Sequence, residues 1–559
     1  AGPKADIYVF TGSVLENMEE YTALTGKPLL PPAWVFEPWA GGGVGRWMDG
    51  PTHDVIQEME GVVRKFKNLD IPHSGLYAEG AGWKWEDHYN KEEIYKIAAF
   101  TKQQKMRVFS WQFSHLDMEQ AKELLPNCAE EDLPITRTPG YHGEKVLPCA
   151  IDFSHPRAEE LLENQWHDRM DAGFDGTMVD FGEIIPDEAV FYDGRTGDEM
   201  HNAYALDYTK AYRKLFEKYK GEDHVLFSRS AAAGVQKYSC QFGGDQLSSF
   251  RGLTYAMNGG LTLAASGFPF WGVDAGGYSG FADEETYLRW TEFAAFSPIM
   301  RFHGVTPREP WVYSRYAVSV YKFYAWLREN LLKYSVHTAE EAHKTGIPMM
   351  RPLPMVFPKD KEAVYWEDEY FYGSDLLAAP VHQEGEQRRI YFPAGRWINL
   401  LDFRKMVGGN RILQVDVPID KIPVYIREGA CILSVMNGEL QLGQSMTYEK
   451  KNTVLMSRAL NETSGKRYAD GKEIEYNILG QTGEDFFMLR HASETEFIVL
   501  LGFDRKPESL ELNGVSLSES ASLNALNYGS GWYWREDAAV VVSVPKLKKT
   551  EIHVIHKEQ

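Results

Sequence analysis

Between about residue 30 and residue 340, short apolar runs alternate with longer stretches in which apolar residues recur at helical spacing. That alternation is the pattern of repeated strand–helix units built around a parallel sheet. The runs Ser74–Tyr77, Arg107–Trp111, Cys149–Asp152, Thr177–Asp180, Val225–Ser228, Ser239–Phe242, Phe268–Val273 and Ile299–His303 predict eight strands, with helices such as Glu92–Gln104 and Pro156–Ala172 between them. Eight units close into a (β/α)8 barrel, whose chemistry sits at the C-terminal ends of its strands. After about Met350 the pattern changes to short runs, among them Leu376–Val381, Arg389–Phe392 and Ile422–Ile426, punctuated by Gly, Pro and Asp. Further runs at Phe486–Leu489, Glu496–Leu501 and Ala539–Val544 follow a Gly429-Ala430-Cys431 link. Close spacing of short strands reads as antiparallel sandwich. The expected fold class is α/β: a (β/α)8 TIM barrel over 29–345, followed by two C-terminal antiparallel β-sandwich domains over 346–430 and 431–559.

Two strand ends carry candidate chemistry. Met178-Val179-Asp180-Phe181-Gly182-Glu183 is an apolar run that stops at a carboxylate, and Gly243-Gly244-Asp245 supplies a second acid 65 residues after Asp180. Two carboxylates facing each other across a sugar ring are the minimal machinery for cleaving a glycosidic bond.

Composition narrows the partners. A formal charge of −21 repels nucleic acid and anionic membrane, whereas a neutral sugar is indifferent to that field. At 13% aromatic content, there are rings to spare beyond a core, and spare rings suit sugars. No run of about 18 apolar residues occurs, and the start, Ala1-Gly2-Pro3-Lys4, carries neither an initiator Met nor a signal peptide, so the compartment stays open. Cys128, Cys149, Cys240 and Cys431 lack CxxC spacing, which argues against a zinc cluster. Cys128 and Cys149 could bridge a loop in a secreted protein, while Cys240 and Cys431 read as free buried thiols.

A series of blocks in order resembles the retaining α-glycosidases of glycoside hydrolase family 31. They are Tyr21-Thr22-Ala23-Leu24-Thr25-Gly26, Pro31-Pro32-Ala33-Trp34, the Asp180 block, Arg229-Ser230 with Gly234-Val235-Gln236-Lys237, and Gly243-Gly244-Asp245. Trp271-Gly272-Val273-Asp274-Ala275-Gly276-Gly277, Arg289-Trp290 and Phe296-Ser297-Pro298-Ile299-Met300-Arg301-Phe302-His303 continue the series. The resemblance implies that Asp180 is the nucleophile and Asp245 the acid/base, with carboxyl groups about 5–5.5 Å apart for net retention. It places Arg229 and His303 in the sugar subsite, Asp274 at the mouth of the seventh strand holding Arg229 or another cation, and Glu183 as an orienting neighbour. Trp111, Phe242, Trp271 and Phe270 are candidate walls of the pocket. No metal or organic cofactor is implied.

Departures from the family pattern bear on the substrate. Glu79 in Tyr77-Ala78-Glu79-Gly80 stands where glucose-specific members often carry Asp, and one methylene is enough to reshape the far wall of a pocket. Phe242 stands for a frequent Trp, and Ala275 for Ile. Ala81-Gly82-Trp83-Lys84-Trp85-Glu86-Asp87 offers only Lys84 toward a sulfonate, which disfavours sulfoquinovose. Asp6–Gly12 resembles the last strand of the family's N-terminal β-sandwich, so residues 1–28 read as a remnant of it plus linker. The rest of that sandwich is expected on a separate docking chain or to have been removed. The expected activity is exo-acting release of a terminal α-linked hexose by double displacement. Glucose comes first among sugars, then galactose, with xylose or sulfoquinovose as alternatives. Transfer to a sugar acceptor uses the same residues. A non-catalytic carbohydrate-binding protein would have lost a carboxylate, and both are present.

Overall fold

The barrel begins at a segment that does not look like a strand. Trp39–Gly42 (β1) lies in a glycine run, yet it pairs in parallel with Gly75–Ala78 (β2) on one side and Arg301–Phe302 (β8) on the other. Trp39 is fully buried and stacks on Trp34 with ring centroids 5.2 Å apart. A side chain at the facing Gly75 would come within 2.9 Å of the Trp39 ring, so the pair fits only with glycine there. The computed structural model describes residues 6–42, 55–79, 90–137, 149–469, 471–492, 494–527, 529–544 and 546–556. The Ala81–Asp87 block with Lys84 lies outside the described residues.

The remaining barrel strands are Arg107–Phe113 (β3), Gly176–Asp180 (β4), Val225–Ser228 (β5), Cys240–Phe242 (β6) and Trp271–Gly272 (β7). All pair in parallel, in chain order. Parallel bridges Gly272 to Ile299 and Ala275 to Phe302 close the ring between β7 and β8. The sheet is therefore the expected eight-stranded barrel with one strand exchanged. Cys149–Ala150 is not a barrel strand; it pairs antiparallel with His115–Leu116 as a side ribbon beyond the end of β3. Its apolar run ending at Asp152 mimics a barrel strand, but its backbone groups are satisfied outside the ring. Glu79 accordingly follows the second strand, not the first.

Helices form where the pattern places them. Lys91–Gln103 starts at a capping box, in which the Asn90 side chain accepts from the Glu93 N–H and the Glu93 carboxylate accepts from the Asn90 N–H. It buries Ile94, Ile97, Ala98 and Phe100. Ala158–Ala172 stops at Gly173, left-handed with φ 97°. Residues 6–12 join no strand among the described residues, and Ile7, Tyr8 and Val9 are exposed.

Beyond the barrel, Met350–Pro352, Tyr370–Tyr372, Leu376–Ala378, Val424–Arg427, Arg396–Asn399 and Met406–Gly408 form one antiparallel sheet in that spatial order. Gln387–Phe392 and Arg411–Asp416 form an antiparallel ribbon beside it. A five-stranded and a six-stranded sheet follow, packed through Leu433, Met456, Phe487, Leu500 and Val542. One pair in them, Lys451–Ser457 with Phe497–Leu501, is parallel.

Buried arginines tie these layers to the barrel. Arg289, on helix Glu284–Ala295, pairs with Glu292 at 3.1 Å and donates to the Val417, Pro418 and Lys421 carbonyls. Arg467 of the last domain pairs with Asp375 of the middle one at 2.6 Å. All four cysteines are free; Cys128 donates to the Asp132 carbonyl rather than bridging Cys149. No helix among the described residues is long and apolar enough to cross a membrane.

Candidate active site

Side chains from β3 and from the C-terminal ends of β2, β4, β5 and β8, with the loops after β6 and β7, come together at one end of the barrel. Asp180 is the last residue of β4, and the chain leaves it through a left-handed turn, Phe181 at φ 59° and Gly182 at φ 95°. A left-handed phenylalanine costs about 1 kcal/mol or more. The turn aims the Phe181 N–H at Asp180 Oδ1, 2.9 Å away. Trp111 Nε1 donates to Asp180 Oδ2 at 2.8 Å, and Arg229 Nη1 lies 3.3 Å from Oδ1. Tyr208 donates its hydroxyl to the Asp180 carbonyl at 3.2 Å, holding the strand end from behind.

Burial raises the Asp180 pKa, and Arg229, the Trp111 N–H and the Phe181 N–H oppose it. Asp245 sits exposed on the loop after β6. Its pKa is also raised, first by desolvation in the cleft and then by the Asp180 charge, with Arg229 opposing and Glu79 adding to the rise. The two acids are thus distinguished by their partners. Asp180 has two N–H donors and a guanidinium on its oxygens, which favour the anion, whereas among the described residues no hydrogen bond reaches the Asp245 carboxyl and its neighbours act on it as charges through space. That division suits an ionised nucleophile and a protonated acid.

Arg229 follows β5. Its Nε donates to Glu183 at 3.0 Å, a second nitrogen also reaches Glu183, and its guanidinium lies 3.9 Å over the Phe181 ring. Glu183 therefore holds the arginine that holds Asp180. Asp274 does not contact Arg229; it is fully buried and pairs with Arg301, the residue that opens β8. The Arg301 guanidinium is walled by Tyr77 and Phe242, each ring 5.0 Å away, and by Phe227.

His303 Nε2 approaches Glu79 Oε2 at 3.2 Å, though the angle makes no hydrogen bond, and both side chains are buried. Burial pushes Glu79 up to about 7 and His303 down to about 3, so the imidazole is neutral. Among the described residues, Glu79 Oε2, Asp274 Oδ2, His303 Nδ1 and Arg301 Nη1 are buried without a hydrogen-bond partner. Orphaned donors and acceptors on one wall are costly unless a ligand completes them. Among the described residues no group of His, Cys, Asp and Glu could hold a metal ion.

The structure brings Glu79, Trp111, Asp180, Arg229, Phe242, Asp245, Asp274 and His303 into one neighbourhood at the end of the barrel. Trp271 is placed elsewhere. Its ring is fully buried against helix Phe250–Ala265, where a side chain at Gly260 would meet it at 2.0 Å, and it packs toward Phe293. Phe270 packs against Phe36. Sequence reasoning passed over Arg301, although it lies two residues before His303 on one strand and the period of two puts both on one face. The scaffold roles of Tyr208 and Phe181 leave no mark in the sequence pattern.

The chain has named relatives. Residues 28–338 match the glycosyl hydrolases family 31 TIM-barrel domain, and residues 346–432 match the glycosyl hydrolase family 31 C-terminal domain. An isomaltosyltransferase from Sporosarcina globispora is 27% identical over 96% of this chain and 54% of its own length. An alpha-xylosidase from Emericella nidulans is 29% identical over 77% of this chain and 57% of its own. The chain thus spans about half the length of these relatives. Among solved structures, a cycloalternan-forming enzyme from Listeria monocytogenes, in complex with a pentasaccharide substrate, shares the fold. It has a TM-score of 0.84 at 24% identity, over 97% of this chain and 56% of that one. Given a barrel profile matched over more than half of its residues, with the C-terminal domain following in order, the chain belongs to glycosyl hydrolase family 31.

Proposed function

We propose that the protein is an exo-acting retaining α-glycosidase that releases a terminal α-linked hexose. Asp180 attacks the anomeric carbon while Asp245 gives its proton to the departing oxygen. A covalent glycosyl-Asp180 ester forms, and Asp245, now a carboxylate, takes a proton from the water that cleaves it. The observation that carries this reading is the contrast between the two acids: Asp180 is clamped by Trp111, the Phe181 N–H and Arg229, while Asp245 faces its charge from the next loops. Orphaned polar atoms of Glu79, Asp274, Arg301 and His303 match a ring of sugar hydroxyls.

Glucose is the first sugar in this reading. An alpha-glucosidase from Bacillus thermoamyloliquefaciens is among the relatives, at 27% identity; galactose is the alternative hexose. A panel of nitrophenyl α-glucoside, galactoside, xyloside and sulfoquinovoside tests both sugar and chemistry, with Asp180→Ala as control. Turnover of one substrate that Asp180→Ala abolishes is the expected result, and near-normal turnover by that variant overturns the assignment.

A second reading, transfer of the glycosyl group to a sugar, is favoured by the relative that aligns over 96% of this chain, whose name is isomaltosyltransferase. It differs only in what intercepts the ester. Chromatography of products at high maltose concentration separates the two: longer oligosaccharides mark transfer, and glucose alone marks hydrolysis.

A further inference from the structure

Three loops at the barrel mouth meet on one buried arginine that makes no ion pair among the described residues. Arg308 is 4% exposed, and its hydrogen bonds go to carbonyls and hydroxyls only. Nε donates to the Gly277 carbonyl at 2.8 Å. Nη2 is shared among the Gly277 carbonyl at 2.6 Å, Gly280 at 2.9 Å, Tyr278 at 3.1 Å and Ser248 Oγ at 3.0 Å. Nη1 donates to the carbonyls of Thr306 and Pro307 at 3.0 and 3.2 Å. Burial without a counter-ion lowers its pKa. A buried guanidinium solvated by carbonyls and hydroxyls, with no carboxylate on it, is costly, and it fixes the relative position of every carbonyl it binds.

What it fixes is the loop that carries Asp245. The Gln246 carbonyl, one residue beyond Asp245, accepts from the Tyr278 and Ser279 N–H groups at 2.8 and 3.1 Å, and the Ser248 N–H donates back to Ser279 at 2.9 Å. Residues 277–280 therefore form a strut between Arg308 and Asp245. Three glycines make the junction possible. Gly277 is left-handed at φ 81°, and a Cβ there would lie 2.4 Å from Ser248 Cα. A Cβ at Gly276 would meet Arg308 Cδ at 2.9 Å, and one at Gly304 would meet Arg308 Nη2 at 2.6 Å. Gly276 after β7 and Gly304 after β8 leave space for this side chain, and Gly277 lets the loop after β7 approach the backbone of Ser248 in the loop after β6. Asp245 has no direct hydrogen-bond clamp of the kind Asp180 has, so its placement over the cleft depends on its loop.

We propose that Arg308 is the positioning residue for Asp245, setting the acid/base carboxyl over the leaving-group oxygen by joining the loops after β6, β7 and β8. The inference rests on Asp245 being the acid/base. Removing the strut's anchor leaves the nucleophile untouched and displaces the proton donor, so the loss falls on substrates that need protonation.

The test compares kcat/KM on an α-glycosyl fluoride, whose leaving group needs little protonation, with that on a disaccharide of the same sugar. Asp245→Ala calibrates the ratio of the two. Arg308→Met is expected to lower disaccharide cleavage about 100-fold, the scale of a misplacement near 1 Å, while fluoride cleavage falls no more than about 3-fold. Ser248→Ala, which removes one bond of the network, is expected to shift the ratio about 3-fold in the same direction. Equal losses on both substrates mark a merely structural role and overturn the inference. Should Arg308→Met fail to fold, Ser248→Ala and Arg308→Lys decide, and unchanged ratios in both overturn it. A ratio that moves in Asp245→Ala but in no Arg308 variant sinks this inference alone, whereas a ratio unmoved by Asp245→Ala sinks the acid/base reading itself.

Discussion

Glu79→Gln should stabilise the protein at the pH where Glu79 is charged. Glu79 is 7% exposed, its carboxyl is pushed up from 4.5 to about 7 by burial, and the through-space attraction of Arg301 only partly offsets that. A folded-state pKa above the unfolded one means that Glu79 destabilises the fold as pH rises. The penalty is absent below about pH 4.5, grows up to pH 7, and is complete above it. The shift from 4.5 to 7 corresponds to about 3 kcal/mol at pH 8, and to less than about 1 kcal/mol at pH 5. Gln keeps the shape and carries no charge, so the variant escapes the penalty. Spread over the unfolding entropy of a barrel of this size, the gain is about 3–5 °C in Tm at pH 8. Thermal melts of both proteins at pH 5 and pH 8 read it directly. Turnover should fall at the same time if, as proposed, this carboxylate accepts from substrate hydroxyls. A Tm difference that is the same at both pH values, or a destabilised variant at pH 8, would refute the argument that the fold tolerates this charge for the ligand's sake.

Two further outcomes follow from the clamp and the buried pair. Trp111→Phe removes the indole N–H from Asp180 Oδ2, a hydrogen bond to a charged group worth about 1.5–3 kcal/mol. Since that bond lowers the pKa, its loss raises it further, and the acid limb of kcat/KM against pH should move to higher pH with a drop of about 10-fold or more at the optimum; an unmoved limb would count against the clamp. Asp274→Asn leaves Arg301 buried without its counter-ion and should destabilise the protein by about 3–5 kcal/mol, read as a lower Tm or loss of soluble protein. A melt within 1 °C of the parent would show, at roughly the resolution such small shifts allow, that the pair is not what holds Arg301.

Much of the site was legible along the chain because barrel strands deliver their chemistry at a predictable place. Asp180, Arg229 and His303 each stand at or just past the end of an apolar run, and the structure gathers all three at one end of the barrel. Cys149–Asp152 obeys the same local rule and is not in the barrel, because a short apolar run carries no information about which strand it pairs with. Trp39–Gly42 breaks the rule and is in the barrel, because its neighbours Gly75 and Arg301 complete its ladder whatever its own propensity. Trp271 lies on a barrel strand, but its ring faces the helical layer, where Gly260 makes room for it.

By itself, then, the order of blocks along the chain determined the barrel and the β-domains after it, and marked two acids as candidates, since strand ends and their sequence follow from local pattern. Only the tertiary structure decided the partners. It paired Asp274 with Arg301 instead of Arg229, set Glu79 against His303 from the two strands that flank β1, and gathered loops from three strands onto Arg308. Partner choice depends on barrel closure and on which face each side chain takes, and those are properties of the packed whole that no window of sequence contains.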